Sequence, residues 1–215
     1  MRIFKLIMSI SLRINRKEIA DVDLSSIYEF LDWNPTYKEF LSKKPGEEHY
    51  KLLFYIAKLL AATTSPSPAV ISDIGTLYGS SALSFAAAHP TIQVTTYDIL
   101  NVVPNVQGIK TVNNVLNIKR KIMSGQLDIH NICKSQVVLM DIDPHEGSEE
   151  VKFINLLLNA GFKGLLLVDD IHLNDGMKAF WNGVTLPKYD LTDIGHWTGT
   201  GLIVFDVNTI DVTIV

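Results

Sequence analysis

The sequence predicts an α/β protein built on a mostly parallel sheet, and two observations carry that prediction. Short apolar runs at 69–75, 93–99, 136–143 and 164–171, with a weaker strand pattern at 110–115, alternate with stretches of helical periodicity at 80–89, 116–125 and 148–161. Strands that are apolar throughout, rather than at every second position, are those covered by helices on both faces. The chain has 215 residues, 47% of them hydrophobic and 20% charged, enough for one buried core but not for two full domains. This composition excludes disorder, collagen and coiled coil.

The N-terminal run MRIFKLIMSISL has a basic residue and a short apolar stretch, but RINRKEIAD follows without the small-residue cleavage site of a signal peptide. A strand or hairpin is expected there, over 3–14 and 17–22. Residues 24–60 read as two helices, with Asp23, Ser25 and Glu47 near their starts and a break at Pro45–Gly46. We therefore expect an N-terminal cap over 1–62 and a main unit over 63–215, with TTSPSP at 63–68 as the loop between them. The tail, LTDIGHWTGTGLIVFDV at 191–207, reads as two strands joined by a glycine-rich turn, an antiparallel pair closing the sheet. No stretch approaches the ~20 apolar residues of a membrane helix.

A formal charge of -4, from 19 basic and 23 acidic residues, argues against nucleic acid as the principal partner. The single cysteine, Cys133, rules out a disulfide within the chain and fits a reducing cytoplasmic compartment. The acids have a pattern. Asp73, Asp98, Asp141 with Asp143, and Asp169 with Asp170 stand at the ends of four of the five predicted parallel strands. In an open α/β sheet ligands bind beyond the carboxyl ends of the strands, so these side chains should line one rim.

The first of them opens Asp73-Ile-Gly75-Thr-Leu-Tyr-Gly79-Ser80, a strand running through a glycine turn into a helix. Its spacing is not the G-x-G-x-x-G of a pyrophosphate site, and no Lys-Ser/Thr follows as in a P-loop. Asp98 then falls where such folds place the acid that accepts ribose hydroxyls. Together these residues resemble the class I methyltransferases that use S-adenosylmethionine, and the resemblance spans roughly 47–207. It implies a Rossmann-like methyltransferase fold, a seven-stranded mostly parallel sheet with a terminal antiparallel hairpin beneath the helical cap. Carried over, Asp73, Gly75, Gly79, Ser80 and Asp141 would contact the cofactor and Asp98 its ribose. No adenine-contacting residue stands out near 113–118.

Asp141-Ile-Asp143-Pro-His145-Glu146 and Asp169-Asp170 form a further constellation. Carboxylates gathered this closely need protons, hydrogen bonds or a cation, and oxygen donors suit Mg²⁺, Mn²⁺ or Ca²⁺. The arrangement is similar to the metal-dependent O-methyltransferases that act on sugar hydroxyls in macrolide and aminocoumarin biosynthesis. That likeness implies Asp141, Asp169 and Asp170 as metal ligands, with Asp143 or His145 as the base, and a hydroxyl-bearing small molecule as acceptor. Catechol-type relatives carry a lysine where this chain has Pro144, which speaks against their mechanism. Three alternatives stay open: a metal-independent methyltransferase of the same fold, a non-catalytic binding protein, and a different reaction such as that of the hydroxylase-named proteins of cephamycin biosynthesis.

Other residues are singled out more weakly. Glu47, His49 and Tyr50 lie just before the first sheet strand and could reach the cofactor or substrate, and His172 could support the acid pair from behind. His196–Trp197 could wall the acceptor pocket. Phe180–Trp181 reads as core or a subunit contact, and Cys133 as a small buried residue. A homodimer through the cap or the terminal strands is also expected.

Overall fold

A computed structural model of the chain describes residues 10–32, 34–64, 67–98, 115–119 and 126–215, the backbone alone at 115–119 and 126–127. Strands β2 (Val70–Ile74), β3 (Gln93–Asp98), β4 (Val115–Lys119), β5 (Val137–Met140) and β6 (Leu165–Asp169) are parallel. Strand β8 (Thr200–Val204) runs antiparallel between β6 and the edge strand β7 (Lys188–Asp190), giving the order β4-β3-β2-β5-β6-β8-β7. The chain builds outward from β2 to β4, then returns to place β5 on the other side of β2. That reversal brings the carboxyl ends of β2 and β5 together, with Ile74 opposite Met140.

Side chains of the central strands alternate between two buried clusters. Leu139 and Leu167 point into one with Ile56, Leu60, Leu83 and Phe85, and Val138, Met140, Leu166 and Val168 into the other with Phe153, Leu157, Met177 and Trp181. Covering on both faces is why these strands are apolar without alternation. Phe180 and Trp181 belong to this core, whereas Cys133 is only half-buried. The first cluster also contains Leu12, Ile14, Ile27 and Leu31 of the cap and Ile210 and Val212 near the other end of the chain, so cap and sheet share one hydrophobic interior.

Four local readings are corrected. Residues 17–22 were expected as a strand, but α1 (Arg16–Ala20) is helical because the Asn15 side chain accepts the Lys17 amide at 3.0 Å and the Glu18 amide at 3.3 Å. Strand β1 (Ile10–Ile14) pairs instead in parallel with β9 (Ile210–Ile214), a strand beyond the last predicted one. Residues 115–119 pair with β3 rather than starting a helix: β-branched Val115 and Ile118 suit an extended edge, and the ladder to β3 overrides the weak helical pattern. The rest of those two predicted elements, 110–114 and 120–125, lies outside the described residues, as do 3–9 of the first. Finally, the first strand of the terminal pair precedes 191, because Asp190 Oδ1 accepts the Thr192 amide at 3.0 Å and turns the chain into an irregular loop over 191–199.

The cap consists of a 3₁₀ helix (Ser25–Leu31), α2 (Pro35–Ser42) and α3 (Tyr50–Thr64). Beyond β2 the helices are α4 (Ser80–Ala87), α5 (Gln126–Ile132), α6 (Ser148–Asn159) and α7 (Asp175–Gly183). Among the described residues no helix is long and apolar enough to cross a membrane.

Candidate active site

The loop from β2 to α4 is shaped by two glycines. Gly75 has φ +86°, and a Cβ there would lie 1.5 Å from the carbonyl oxygen of Asp141, so any other residue collides with the neighbouring strand. Gly79, at φ 87°, precedes the first turn of α4. Around this loop lie three buried polar atoms without a protein partner: Asp73 Oδ1, Thr76 Oγ1 and Ser80 Oγ. Buried polar atoms in folded proteins are ordinarily paired, so three orphans on one glycine loop at a helix start mark a cradle for a polar ligand. Asp98 accepts the Leu77 amide at 2.7 Å and so also fixes the loop from the neighbouring strand.

Asp73 is fully buried, and its Oδ2 accepts the Ser81 hydroxyl at 2.8 Å. Burial pushes its carboxyl up to about 6 from 3.8, partly offset by the neighbouring Thr76 and Ser81 hydroxyls. With the folded pKa raised, its stabilisation is complete below pH 3.8 and is lost as pH rises through about 6. Asp73→Asn keeps the acceptor for Ser81, so variant and wild type should be equally stable near pH 4. At pH 7 the ligand-free variant should be more stable by about 3 kcal/mol, measured by urea unfolding.

The strands β5 and β6 deliver the other acids. His145 Nε2 is the hub of one group, 3.6 Å from Asp141 Oδ1, 3.5 Å from Asp143 Oδ1 and 3.6 Å from Asp170 Oδ2. Of the two expected bases, His145 is the enclosed one, its side chain 13% exposed against 96% for Asp143. Asp141 is pushed well above the usual carboxylate range, by burial first and then by the charges of Asp169 and Asp170.

A second group joins Asp169 and Asp170 to the cap and to the 191–199 loop. His49 Nδ1 lies 3.2 Å from Asp169 Oδ1, and His196 Nδ1 lies 3.4 Å from both Asp169 Oδ1 and Asp170 Oδ1. Thr198 donates its hydroxyl to Asp170, and Glu48 Oε1 faces the other ring nitrogen of His196 at 3.8 Å. Burial opposes ionisation of Asp169, but the charge of His49 and the hydrogen bonds of both imidazoles outweigh it and hold the carboxyl below its usual range. The converse holds for His196: burial disfavours its cation, and hydrogen bonds to Asp169 and Asp170 raise it to about 10.

Backbone strain falls on the same rim. Among the described residues the non-glycine left-handed conformations are Leu77, His145 and Asp170, one in each of the loops after β2, β5 and β6. Such conformations persist where the surroundings over-determine them, characteristically at functional sites. A cavity of about 500 Å³ between α6 and α7, lined by Glu146, Val151, Ile154, Phe180 and Leu186, contains none of the strand-end aspartates.

No protein-family model matches the chain, and no curated protein matches it. Solved structures do. An O-methyltransferase from Bacillus cereus in complex with S-adenosylhomocysteine (SAH) superposes with a TM-score of 0.53 at 13% identity, over 87% of this chain and 96% of that one. A Klebsiella pneumoniae protein assigned to the O-methyltransferases gives 0.58 at 14% identity, over 88% and 94%. A Staphylococcus aureus protein assigned to the caffeoyl-CoA O-methyltransferases gives 0.58 at 16%, over 88% and 98%. The fold is that of the class I methyltransferases.

On this methyltransferase fold the predicted residues fall into place unevenly. Asp73, Gly75, Gly79, Ser80 and Asp98 gather at the β2–β3 end, and Asp141, Asp143, His145, Asp169 and Asp170 at the β5–β6 end. The donor atoms of Asp169 and Asp170 lie within 4.8 Å of one another and of His196. Asp141 stands outside that triad and meets it through His145. His172 does not support the acid pair: its Nε2 binds Asp190 Oδ2 at 2.7 Å. Trp197 is 69% exposed, so it is His196 that turns inward. Glu48, Thr198 and the edge-to-face pair Tyr37–Tyr78, whose ring centroids are 4.4 Å apart, were not singled out by sequence. The adjacency of Glu48 to His49 was the one available signal.

Proposed function

We propose that this protein is an S-adenosylmethionine-dependent O-methyltransferase that uses a divalent ion and acts on a hydroxyl of a sugar or other small polar metabolite. The observation that carries the reading is the set of orphaned polar atoms on the glycine loop, Asp73 Oδ1, Thr76 Oγ1 and Ser80 Oγ, which await a polar ligand at the sheet's switch point. The donor set fits both groups: hydroxyls, a carboxylate and a strand-end acid for the cofactor, and clustered carboxylates for the ion.

When bound, the cofactor supplies an electrophilic sulfonium methyl and the ion lowers the pKa of a coordinated hydroxyl. Asp98 offers its carboxylate to the ribose, and Gly75 leaves the approach over Asp141 free of a Cβ. Asp141, Asp169 and Asp170 would hold the ion, as the resemblance implies. His145, enclosed among Asp141, Asp143 and Asp170, takes the proton of the attacking hydroxyl at Nε2. Methyl transfer is an in-line displacement, so the chain's remaining task is to align the acceptor oxygen.

The test is calorimetric titration with SAH, with and without Mg²⁺. One site per chain is expected, weakened at least tenfold in Asp98→Ala; no binding in either condition overturns the reading. Transfer without an ion is the second reading, favoured by the His196 imidazolium held between Asp169 and Asp170. Full turnover with chelator present would select it.

A further inference from the structure

Resting on that reading but with His196 in place of Asp141 in the ligand set, we propose that the ion site is a mixed carboxylate–imidazole centre of Asp169, Asp170 and His196, and that it selects a first-row transition ion such as Mn²⁺, Fe²⁺ or Co²⁺ over Mg²⁺. The argument begins with which atoms converge. Among the described residues, the group of carboxylate and imidazole donors lying within 4.8 Å of one another is this triad, and it includes a nitrogen. His196 Nδ1 faces both carboxylates at 3.4 Å and the Thr198 hydroxyl at 2.7 Å, a hydrogen bond that an ion seated between the imidazole and the carboxylates would replace. A Mg²⁺ site prefers oxygen throughout, whereas imidazole favours the later, softer divalent ions.

The surroundings of the triad supply the independent observation. A metal-binding histidine ordinarily gives its second ring N–H to a carboxylate, which fixes the tautomer and the ring plane. Here Glu48 Oε1 stands 3.8 Å from His196 Nε2, on the side of the ring away from Asp169 and Asp170. Each carboxylate is oriented as well: Asp169 by His49 at 3.2 Å, and Asp170 by the Thr198 hydroxyl and by His145 at 3.6 Å. His49 and Glu48 are therefore positioning residues, and both come from the cap. The loop that carries His196 is tied to the same stretch, since the Gly46 amide donates to the Gly195 carbonyl at 2.9 Å. Cap and loop thus present the imidazole together.

The experiment uses the full chain, freed of ions by chelation and titrated separately with Co²⁺, Mn²⁺ and Mg²⁺. Calorimetry should show one Co²⁺ per chain, bound at least 100-fold more tightly than Mg²⁺, with a visible ligand-field spectrum of a nitrogen-containing site. His196→Ala should weaken Co²⁺ at least 100-fold, and Glu48→Gln 10- to 100-fold, the ordinary effect of losing an orienting partner. A cooperative melting transition shows that each variant is folded, and the wild-type preference for Co²⁺ needs no variant at all. Equal affinity for Mg²⁺ and Co²⁺, no ion uptake, or a His196→Ala variant that binds Co²⁺ like wild type would each overturn the proposal. SAH titration reports separately on the methyltransferase reading: its failure beside intact Co²⁺ binding would remove that reading and leave this site standing.

Discussion

Gly75→Ala should abolish SAH binding and lower the stability of the protein by about 4 kcal/mol, the sum of an overpacked backbone contact and a left-handed conformation imposed on a residue with a Cβ. The added methyl would lie 1.5 Å from the Asp141 carbonyl oxygen, and neither side can yield easily. The Gly75 N–H donates a hydrogen bond to the Tyr97 carbonyl at 2.8 Å, and the Asp141 N–H donates one to the Ile74 carbonyl at 2.9 Å. For a chain of this size such a loss corresponds to a fall in melting temperature of about 10 °C. Gly183→Ala is the control, because a Cβ there meets nothing within 4 Å and its backbone is not left-handed. A Gly75→Ala protein that melts with wild type and binds SAH would show that the two strand ends do not meet as described.

A second large effect concerns pH. In protein stripped of divalent ions, His196 titrates near 10, against 6.5 for an ordinary histidine, because Asp169 and Asp170 hold its proton against the cost of burial. The folded state therefore keeps a proton that the unfolded chain releases. The stabilisation is complete below pH 6.5 and disappears as pH rises through about 10. A shift of that size implies ~5 kcal/mol, reduced to about 3 kcal/mol by solvent screening at the partly open ring. Urea unfolding between pH 6 and 10 should show this loss in wild type and a flatter profile in His196→Gln. Identical profiles would mean that the imidazole carries no such proton. An ion entering the site must displace this proton, so its uptake should strengthen as pH rises across the same window.

The central strands and their terminal acids were legible because the signals are local. Short, largely apolar runs ending in aspartate carry their meaning within a dozen positions, and Asp73, Asp98, Asp141 and Asp169 all came from them, the first followed directly by a glycine turn into a helix. The partners that organise those acids were not legible in the same way. His49 and Asp169 are brought within 3.2 Å by packing of the cap across the sheet, which no periodicity encodes. His196 could be placed near the rim but not turned toward it, since its orientation depends on Thr198 and on an irregular loop whose start was misplaced. The extra helix at 16–20 was missed for a smaller reason: Asn15 supplies a side-chain cap that outweighs the β-branched residues around it.

The pairing of β1 with β9 sets Ile10 opposite Ile210, and this bears on the order in which the molecule matures. Closing so long a loop costs about 5 kcal/mol of chain entropy before any contact is gained, so this ladder should form late. A chain emerging from the ribosome could complete β2 through β6, with its glycine loop and acids, well before 210–214 has been made. Until then the first strand has no partner, and the cap that brings Glu48 and His49 to the rim lacks part of its anchorage. The cofactor half of the site would thus be ready before the half that holds the imidazole.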